Sequence, residues 1–277
     1  MIFNQANKLA GGVRKAYVDT GFGQFHYRYL AADNSEAPTV FFHRTPVTSA
    51  SFVEVMHNLA GWRPMVAFDT PGFGATFTPE PDSKMADFVA FFAAAIDALE
   101  IGNFHLVGHH TGAHFAAELA LHLPDRALSM MIDGAMVTTA QERAALRRTP
   151  PVTVDEHGAY AKQIWDFLRP YYTCFDEQCI HAEFVGALSS TFTRSACMAA
   201  VQAHDLGTVL SKLTIPVLAS AASDDVFVHH LARIAAARPD TAIHTYENAG
   251  SASPELRPAT FARLVRASAG HDNESQA

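Results

Sequence analysis

A histidine occupies the tip of a turn that carries a serine in many enzymes. Residues 106–113 read Leu-Val-Gly-His-His-Thr-Gly-Ala, so the pattern Gly-x-Ser-x-Gly is met at Gly108 and Gly112, but His110 replaces the serine. The pattern requires a strand that leads into the turn and a helix that leads out of it. An apolar run at 104–107 predicts the strand, and a stretch of small residues from 111 to about 122 predicts the helix.

The imidazole of His110 allows three roles. As a nucleophile it would attack an acyl carbon or a phosphorus atom and form a covalent intermediate that water resolves. As a general base it would remove a proton from water, from a serine hydroxyl or from a C–H or O–H group of a substrate, since imidazole titrates near neutral pH. The third role is a simple contact with a ligand. The place of His110 in the turn favours the first two roles and leaves the choice between them open.

The segments around this turn alternate between strand and helix patterns. Two runs at 14–20 and 25–30 flank a turn containing glycine and predict an antiparallel hairpin. Short apolar runs predict buried parallel strands at 39–43, 65–69, 104–108, 128–133, 215–221 and 241–246. Helical patterns lie between them at 50–60, 83–100, 111–123, 228–238 and 254–269. The predicted fold class is α/β, with an eight-stranded, mostly parallel, doubly wound sheet.

One long segment interrupts the alternation. Residues 134–213 are helical in pattern and rich in aromatic side chains, which predicts a helical cap over the carboxyl edge of the sheet. We therefore expect a core domain formed by residues 1–133 and 214–277, with the cap formed by 134–213. Among the cap aromatics, Trp165 is the best candidate for lining a substrate pocket. Residues 271–277 are predicted to be a loose tail.

Composition excludes several classes of protein. Of 277 residues, 49% are hydrophobic and 17% are charged, which predicts a chain with a large buried core. The formal charge of -8 and the lack of any Lys/Arg cluster argue against binding to nucleic acid or to anionic membranes. Cys174, Cys179 and Cys197 form no C-x-x-C pair, and residues 1–12 lack an apolar segment, so we expect a reducing, cytoplasmic location.

Three motifs, in order, carry a resemblance to a known superfamily. They are the loop 43–46 (His-Arg-Thr-Pro) after the third strand, the turn 69–74 (Asp-Thr-Pro-Gly-Phe-Gly) after the fourth, and the histidine turn at 108–112. Residues 216–218 (Pro-Val-Leu), followed by 223–225 (Ser-Asp-Asp), match the seventh strand and the acid loop. From about residue 13 to 269 the chain resembles the α/β-hydrolase superfamily. More narrowly, it is similar to a functionally uncharacterised branch with Gly-His-His-Thr-Gly at the nucleophile elbow.

The resemblance implies where the other catalytic groups lie. It places Asp225, ahead of Asp224, at the acid position, and it makes Asp133 a second acid of lower rank. The position of the usual catalytic histidine holds Ser251, so serine and histidine have exchanged places. We therefore expect Ser251 and His110 to meet across the site as a hydrogen-bonded dyad with reversed order, with Asp225 reaching Ser251 or another base.

The resemblance also implies an oxyanion hole made by two backbone amides, those of Thr111 and Thr45. Arg44 replaces a glycine of the usual oxyanion segment, and its guanidinium would either bind a substrate carboxylate or pair with an acidic residue of the protein. His109 matches a frequent residue of the superfamily; we group it with the residues beside the substrate, although packing is its more ordinary role.

No metal and no cofactor are expected. His110 and His114 are four residues apart and can share one face of a helix, but the H-E-x-x-H pattern is absent and no third ligand is fixed by local sequence.

The sequence thus predicts an enzyme that hydrolyses a small organic substrate at an ester, a lactone or a C–C bond, with His110, Asp225 and Ser251 as its catalytic residues. One alternative is a cofactor-independent lyase or oxygenase in which His110 is the general base. The other is a ligand-binding protein that has lost catalysis. A homodimer is possible, whereas nucleic acid and membrane are not expected partners.

Overall fold

The computed structural model describes residues 12–33, 35–146, 152–169 and 176–270. Within these ranges the chain forms one eight-stranded sheet with helices on both faces. Two predictions, the tail at 271–277 and the environment of Cys174, lie outside the described residues. No helix of the described ranges has the length and apolar character needed to cross a membrane.

The strands agree with the sequence pattern to within two residues at most of their ends. They are β1 Arg14–Thr20, β2 Gly23–Leu30, β3 Thr39–Phe42, β4 Met65–Phe68, β5 Phe104–His109, β6 Ala127–Asp133, β7 Val217–Ala222 and β8 Ala242–Tyr246. Their order in the sheet is β1-β2-β4-β3-β5-β6-β7-β8. β2 runs antiparallel to both of its neighbours, while β3 to β8 are mutually parallel. The predicted fold class is therefore confirmed.

The central strands are apolar on both faces because helices cover both faces. Every residue of β3, β4 and β7 is buried. One core lies between the sheet and the helices around Phe92 and Phe115, and a second core lies on the opposite face around Phe52 and Phe261. This double layer makes the sheet a rigid support for the loops at its carboxyl edge.

The core helices follow the predicted segments. They are α1 Val53–Asn58, preceded by a 3-10 turn at Ser49–Phe52, α2 Met85–Ala98, α3 Thr111–His122, α9 Leu231–Ala237, preceded by a 3-10 turn at Val228–His230, α10 Ser253–Leu256 and α11 Pro258–Ser268. The last predicted helix is two helices, because the break at Arg257 precedes Pro258, which opens α11.

Between β6 and β7 the described chain is helical, as the pattern predicted. It contains α4 Ala140–Ala145, α5 Ala159–Leu168, α6 Glu177–Ser189, α7 Ser195–Ala203 and α8 Leu206–Leu210. Helix α6 approaches the loop after β3 so closely that a Cβ at Gly186 would collide with the Pro46 carbonyl. The division of the chain into a core and a separate cap domain stays a prediction.

The sheet order itself indicates where a site can form. β3 and β5 are neighbours, yet the chain passes from β3 outward to β4 before returning through α2 to β5. Such a reversal leaves a crevice at the carboxyl ends of the two strands, where open α/β sheets bind their ligands. Phe42 of β3 pairs with Gly108 of β5, so the loop at 43–46 and the histidine turn emerge side by side.

Candidate active site

The histidine turn is a tight strand-to-helix elbow. His110 lies between β5 and α3 with φ 49° and ψ -113°, a backbone conformation that an L-residue with a bulky side chain adopts only under constraint. A Cβ at Gly108 would collide with Ala113, and one at Gly112 would collide with the Phe42 carbonyl. Both glycines of the motif are therefore needed to let helix α3 start directly above the sheet.

His110 contacts a carboxylate directly. Its Nε2 lies 2.7 Å from Oδ2 of Asp225, and the two side chains are 9% and 0% exposed. A carboxylate only accepts hydrogen bonds, so in the neutral imidazole the proton lies on Nε2. Nδ1 is then left with a lone pair that accepts a proton or attacks an electrophile. The two residues form a histidine-aspartate dyad across 115 positions of sequence.

The neighbours of Asp225 fix the direction of its carboxylate. The Phe227 amide donates to Oδ1 at 2.6 Å, which leaves Oδ2 for His110. Gly134, with φ 59°, makes room for the contact, because a Cβ there would collide with the imidazole of His110. The preceding acid, Asp224, accepts instead from the Ala249 and Gly250 amides. Of the two acids at this position, Asp225 is the one that reaches the imidazole.

Ser251 lies in the loop that Asp224 anchors, but its hydroxyl is not part of the dyad. Its Oγ is buried and has no hydrogen-bond partner in the described ranges. The predicted hydrogen bond between Ser251 and His110 is therefore not formed, and Asp225 occupies the imidazole nitrogen directly. The catalytic role of Ser251 stays a prediction.

One of the two predicted oxyanion amides is already occupied. The Thr45 amide donates to Oγ1 of Thr111 at 2.8 Å, and the Thr45 hydroxyl donates to the sulfur of Met198. The Thr111 amide is at the first turn of α3, where amides have no acceptor within the helix. Of the predicted pair, the Thr111 amide is thus the donor that remains for a ligand.

Arg44 is paired with two acids of the protein. Its Nη1 lies 2.5 Å from Oε2 of Glu183 on α6, and its Nη2 lies 3.2 Å from Oε1 of Glu255 on α10. Only 3% of the Arg44 side chain is exposed. Of the two predicted alternatives, the structure contains the ion pair with acids of the chain. Sequence reasoning missed both carboxylates, which lie 139 and 211 positions from Arg44.

His109 points away from the elbow tip into the sheet edge. It is fully buried, its Nε2 lies 3.6 Å from Oδ2 of Asp133, and its ring is 4.7 Å from that of His110. Burial lowers the pKa of His109 well below its ordinary value, with smaller contributions from His110 and Arg44. A neutral, enclosed imidazole in this position packs behind His110.

Asp133 belongs to the same buried layer. Its Oδ1 accepts from Ser220 at 2.6 Å and from Tyr246 at 2.7 Å, while its carbonyl accepts the His110 amide. Burial raises the pKa of Asp133 to about 6, against the opposing effect of the two hydroxyl donors. The second acid position therefore supports the backbone of the elbow rather than the imidazole of His110.

A chain of three polar side chains runs from α3 towards the surface. His114 Nδ1 lies 2.8 Å from His204 Nδ1, and His204 Nε2 lies 2.8 Å from Oε1 of Glu118. His114 is fully enclosed, and its Nε2 has no partner in the described ranges. Burial lowers the pKa of His114 well below its ordinary value. His114 thus belongs to this chain of hydrogen bonds, whereas His110 binds Asp225. The pairing of His114 with His204, 90 positions away, could not be predicted from sequence.

His43 is a structural residue of the third-strand loop. The Thr70 amide donates to its Nε2 at 2.9 Å, so its Nδ1 carries the proton and donates to the Arg44 carbonyl at 2.8 Å. Burial lowers the pKa of His43, which keeps the ring neutral. The loop that presents Arg44 and Thr45 is held to the fourth-strand turn by this histidine.

Trp165 lies on α5 and is half-buried. Its ring meets Phe184 edge to face at 5.4 Å, and it packs against a small cluster formed by Cys179, Ile180 and Ala252. Ala252 directly follows Ser251, so Trp165 packs beside the loop at 248–252. Its role as a pocket residue stays a prediction. Among the described residues, no group of three or more His, Cys, Asp or Glu has an arrangement that could hold a metal ion.

Comparisons with known proteins agree with the observed fold. A family model described as "alpha/beta hydrolase fold" matches residues 38–152, which span β3 to β6 and the elbow. Haloalkane dehalogenase from Mesorhizobium japonicum is 29% identical over 102 residues, covering 37% of this chain and 33% of the enzyme. The aligned part therefore spans about a third of that relative's length.

Two further proteins match over more of the chain. "Putative carbamate hydrolase RutD" from Variovorax paradoxus is 28% identical over 215 residues, covering 74% of this chain and 80% of that protein. The crystal structure of E-2-(acetamidomethylene)succinate hydrolase superposes with a TM-score of 0.74 at 22% identity, covering 92% of this chain and 98% of the other. The chain has the α/β-hydrolase fold.

Proposed function

We propose that this chain is a hydrolase of a small organic carbonyl compound, an ester or a lactone, in which His110 is the general base that activates water. The observation that carries the proposal is the 2.7 Å contact between His110 Nε2 and the buried Asp225 carboxylate. Asp225 sets the tautomer and stabilises the imidazolium that forms when Nδ1 takes a proton from water.

A general base accounts for both proton transfers of the reaction. Water loses a proton to Nδ1 of His110 while its oxygen attacks the carbonyl carbon, and the imidazolium then returns that proton to the leaving oxygen as the C–O bond breaks. If His110 attacked the carbonyl itself, a second group would have to protonate the leaving oxygen. Ser251, the predicted partner, makes no hydrogen bond with His110. The base role is therefore the simpler of the two that the elbow position allows.

The class of substrate rests on the fold and on the comparisons. The Variovorax relative, named as a putative carbamate hydrolase, is 28% identical over 215 residues and covers 74% of this chain. Carbamates, esters and lactones all carry a carbonyl carbon that water attacks through a tetrahedral intermediate. In this proposal the Thr111 amide at the start of α3, together with the positive end of the helix dipole, stabilises the oxygen of that intermediate.

The test is the rate of ester and lactone hydrolysis by wild type, His110→Ala and a matched control, His122→Ala, at the far end of the same helix. With p-nitrophenyl acetate and a panel of lactones, His110→Ala should lose turnover and His122→Ala should keep it. Rapid-quench mass spectrometry of the wild type should find no acyl adduct on His110. Unchanged turnover in His110→Ala would refute the base and the nucleophile roles together, whereas an acyl adduct would establish the nucleophile role.

A second candidate is a lyase in which His110 removes a substrate proton and no acyl group is transferred. The observation that favours it is the contact of Nε2 with Asp225, which leaves the Nδ1 lone pair of His110 as a base for a substrate proton just as for a water proton. Exchange of a substrate C–H proton with solvent deuterium, lost in His110→Ala, would identify this reaction. A protein that binds such compounds but neither turns them over nor exchanges their protons would be a binding protein that has lost catalysis.

A further inference from the structure

The two threonines of the predicted oxyanion site contact each other. Thr45 follows the third strand, Thr111 is the first residue of α3, and both residues are partly exposed. The Thr45 amide donates to Oγ1 of Thr111 at 2.8 Å. An amide of an oxyanion hole lies about 2.7 to 3.1 Å from the oxygen that it stabilises, so Oγ1 takes the place of that oxygen. A substrate oxygen cannot bind the Thr45 amide while this contact is present.

The peptide group between Arg44 and Thr45 is held at both ends. Its carbonyl accepts from Nδ1 of His43, and its N–H donates to Thr111. His43 is held in turn by the Thr70 amide, which donates to its Nε2. The peptide group cannot rotate away from Thr111 without breaking the hydrogen bond of the buried His43 ring. It therefore keeps Oγ1 of Thr111 in a fixed position.

The hydroxyl of Thr111 retains a proton for a ligand. A threonine hydroxyl has one O–H donor and two acceptor lone pairs. The Thr45 amide uses one lone pair of Oγ1, whereas the O–H group donates to no acceptor in the part of the chain that the structure describes. The amide also polarises this O–H bond and makes it a stronger donor. Because Thr111 directly follows His110, the donor lies at the elbow beside the proposed base.

We propose that the Thr111 hydroxyl donates a hydrogen bond to the carbonyl oxygen of the substrate, together with the Thr111 amide. The hydroxyl then takes over the oxyanion role of the Thr45 amide, which supports it from behind. The inference deepens the proposed function and rests on it, because it names a further catalytic group of the same reaction. No bond is made or broken at Thr111. Its O–H bond stays intact, and the hydrogen bond strengthens as negative charge develops on the substrate oxygen.

The first experiment compares side chains that differ from threonine by one group. Thr111→Ser keeps the hydroxyl, whereas Thr111→Val replaces it by a methyl group that still covers the Thr45 amide. With p-nitrophenyl acetate, Thr111→Ser should keep kcat near the wild-type value. Thr111→Val should lose about 10²-fold in kcat with little change in KM, as for the loss of one oxyanion donor. A wild-type kcat in Thr111→Val overturns the inference.

The matched control is Thr245→Val, the same chemical change at an exposed position of the edge strand β8. It should keep the wild-type kcat. Thermal unfolding of all variants, followed by circular dichroism, shows whether each one is folded. An equal loss of kcat in folded Thr111→Ser and Thr111→Val would show that the hydroxyl is not the group that matters, which also overturns the inference.

Thr111→Ala distinguishes a donor from an obstruction. The smaller side chain uncovers the Thr45 amide, but the substrate oxygen must move by one hydrogen-bond length, about 2.7 Å, to reach it. We therefore expect kcat of Thr111→Ala to stay below that of the wild type. A kcat at or above the wild-type value would show that the hydroxyl obstructs the Thr45 amide instead of extending it, and would overturn the inference.

A second measurement does not depend on turnover. p-Nitrophenyl methylphosphonate has a tetrahedral, negatively charged centre like that of the intermediate in ester hydrolysis. Its dissociation constant, measured by isothermal titration calorimetry, should rise in Thr111→Val by about the factor by which kcat falls, and should stay near the wild-type value in Thr111→Ser. Equal affinity of the wild type and Thr111→Val overturns the inference. If Thr111→Val does not fold, Thr111→Ala provides the same comparison.

The outcomes separate this inference from the proposed function. If His110→Ala is inactive but Thr111→Val is as active as the wild type, the Thr111 hydroxyl is not a donor and the role of His110 stands. If His110→Ala keeps its turnover, the proposed function fails irrespective of the Thr111 variants.

Discussion

Replacing Asp225 by asparagine should invert the tautomer of His110. In the wild type, Oδ1 of Asp225 accepts from the Phe227 amide and Oδ2 accepts from Nε2 of His110. The asparagine carbonyl must keep the Phe227 amide as its donor, since the opposite orientation would place two N–H donors against each other. Its NH2 group then faces His110 and donates to Nε2. The imidazole proton moves to Nδ1, and the lone pair that would take a proton from water is lost.

The magnitude follows from the geometry of the exchange. Each hydrogen bond is replaced by another of similar length, so the thermal unfolding temperature should change little. Catalysis should fall far more, because the analogous substitution in the serine-protease triad, where the aspartate orients the histidine, lowers kcat about 10⁴-fold. A factor of this size corresponds to about 5 kcal/mol of transition-state stabilisation.

The assay is steady-state hydrolysis of p-nitrophenyl acetate, combined with long-range ¹H–¹⁵N spectra that report which nitrogen of His110 carries the proton. Asp224→Asn is the matched control, since the neighbouring carboxylate binds the Ala249 and Gly250 amides and an asparagine carbonyl can keep both bonds. The reasoning fails if Asp225→Asn retains its rate, if the proton stays on Nε2, or if Asp224→Asn loses as much activity as Asp225→Asn.

Three further substitutions test other contacts. Ser251→Ala removes a buried hydroxyl that has no hydrogen-bond partner in the described ranges, so it should raise the free energy of unfolding by about 1 kcal/mol and keep activity. A loss of kcat near that of His110→Ala would instead show that Ser251 acts together with His110 in catalysis. Gly134→Ala, at φ 59°, should abolish activity by displacing the His110 ring and should cost more than about 1 kcal/mol of stability, measured by urea unfolding; wild-type kinetics would contradict this. Burial raises the pKa of Asp133 from 3.8 to about 6, so the folded protein holds this proton more tightly than the unfolded chain and stability falls as pH rises between these values. That fall should amount to about 3 kcal/mol and should disappear in Asp133→Asn, which keeps the acceptor for Ser220 and Tyr246; an equal slope in the variant would exclude Asp133 as its cause.

Local patterns in the sequence were enough to predict the sheet. Strand β1 was predicted at its observed bounds, and the buried parallel strands were recognised because runs such as 39–42 and 217–222 are apolar on both faces. The glycines at 108 and 112 specified the elbow, since only residues without a Cβ fit between β5, α3 and the end of β3. Where the prediction was less accurate, as for the single helix expected at 254–269, a proline at 258 had signalled the break.

The sequence by itself determined the fold and the place of His110 at the elbow, because both depend on periodicity and on residues close together in the chain. The partners of the site were decided by the tertiary structure. Asp225 binds His110 directly instead of through Ser251, Glu183 and Glu255 take up the charge of Arg44, and Thr111 occupies the Thr45 amide. Each of these contacts joins groups from segments far apart in sequence. Which hydrogen bond forms depends on the positions of donor and acceptor to within a fraction of an ångström, and only the packing of the sheet, the elbow and the surrounding helices sets those positions.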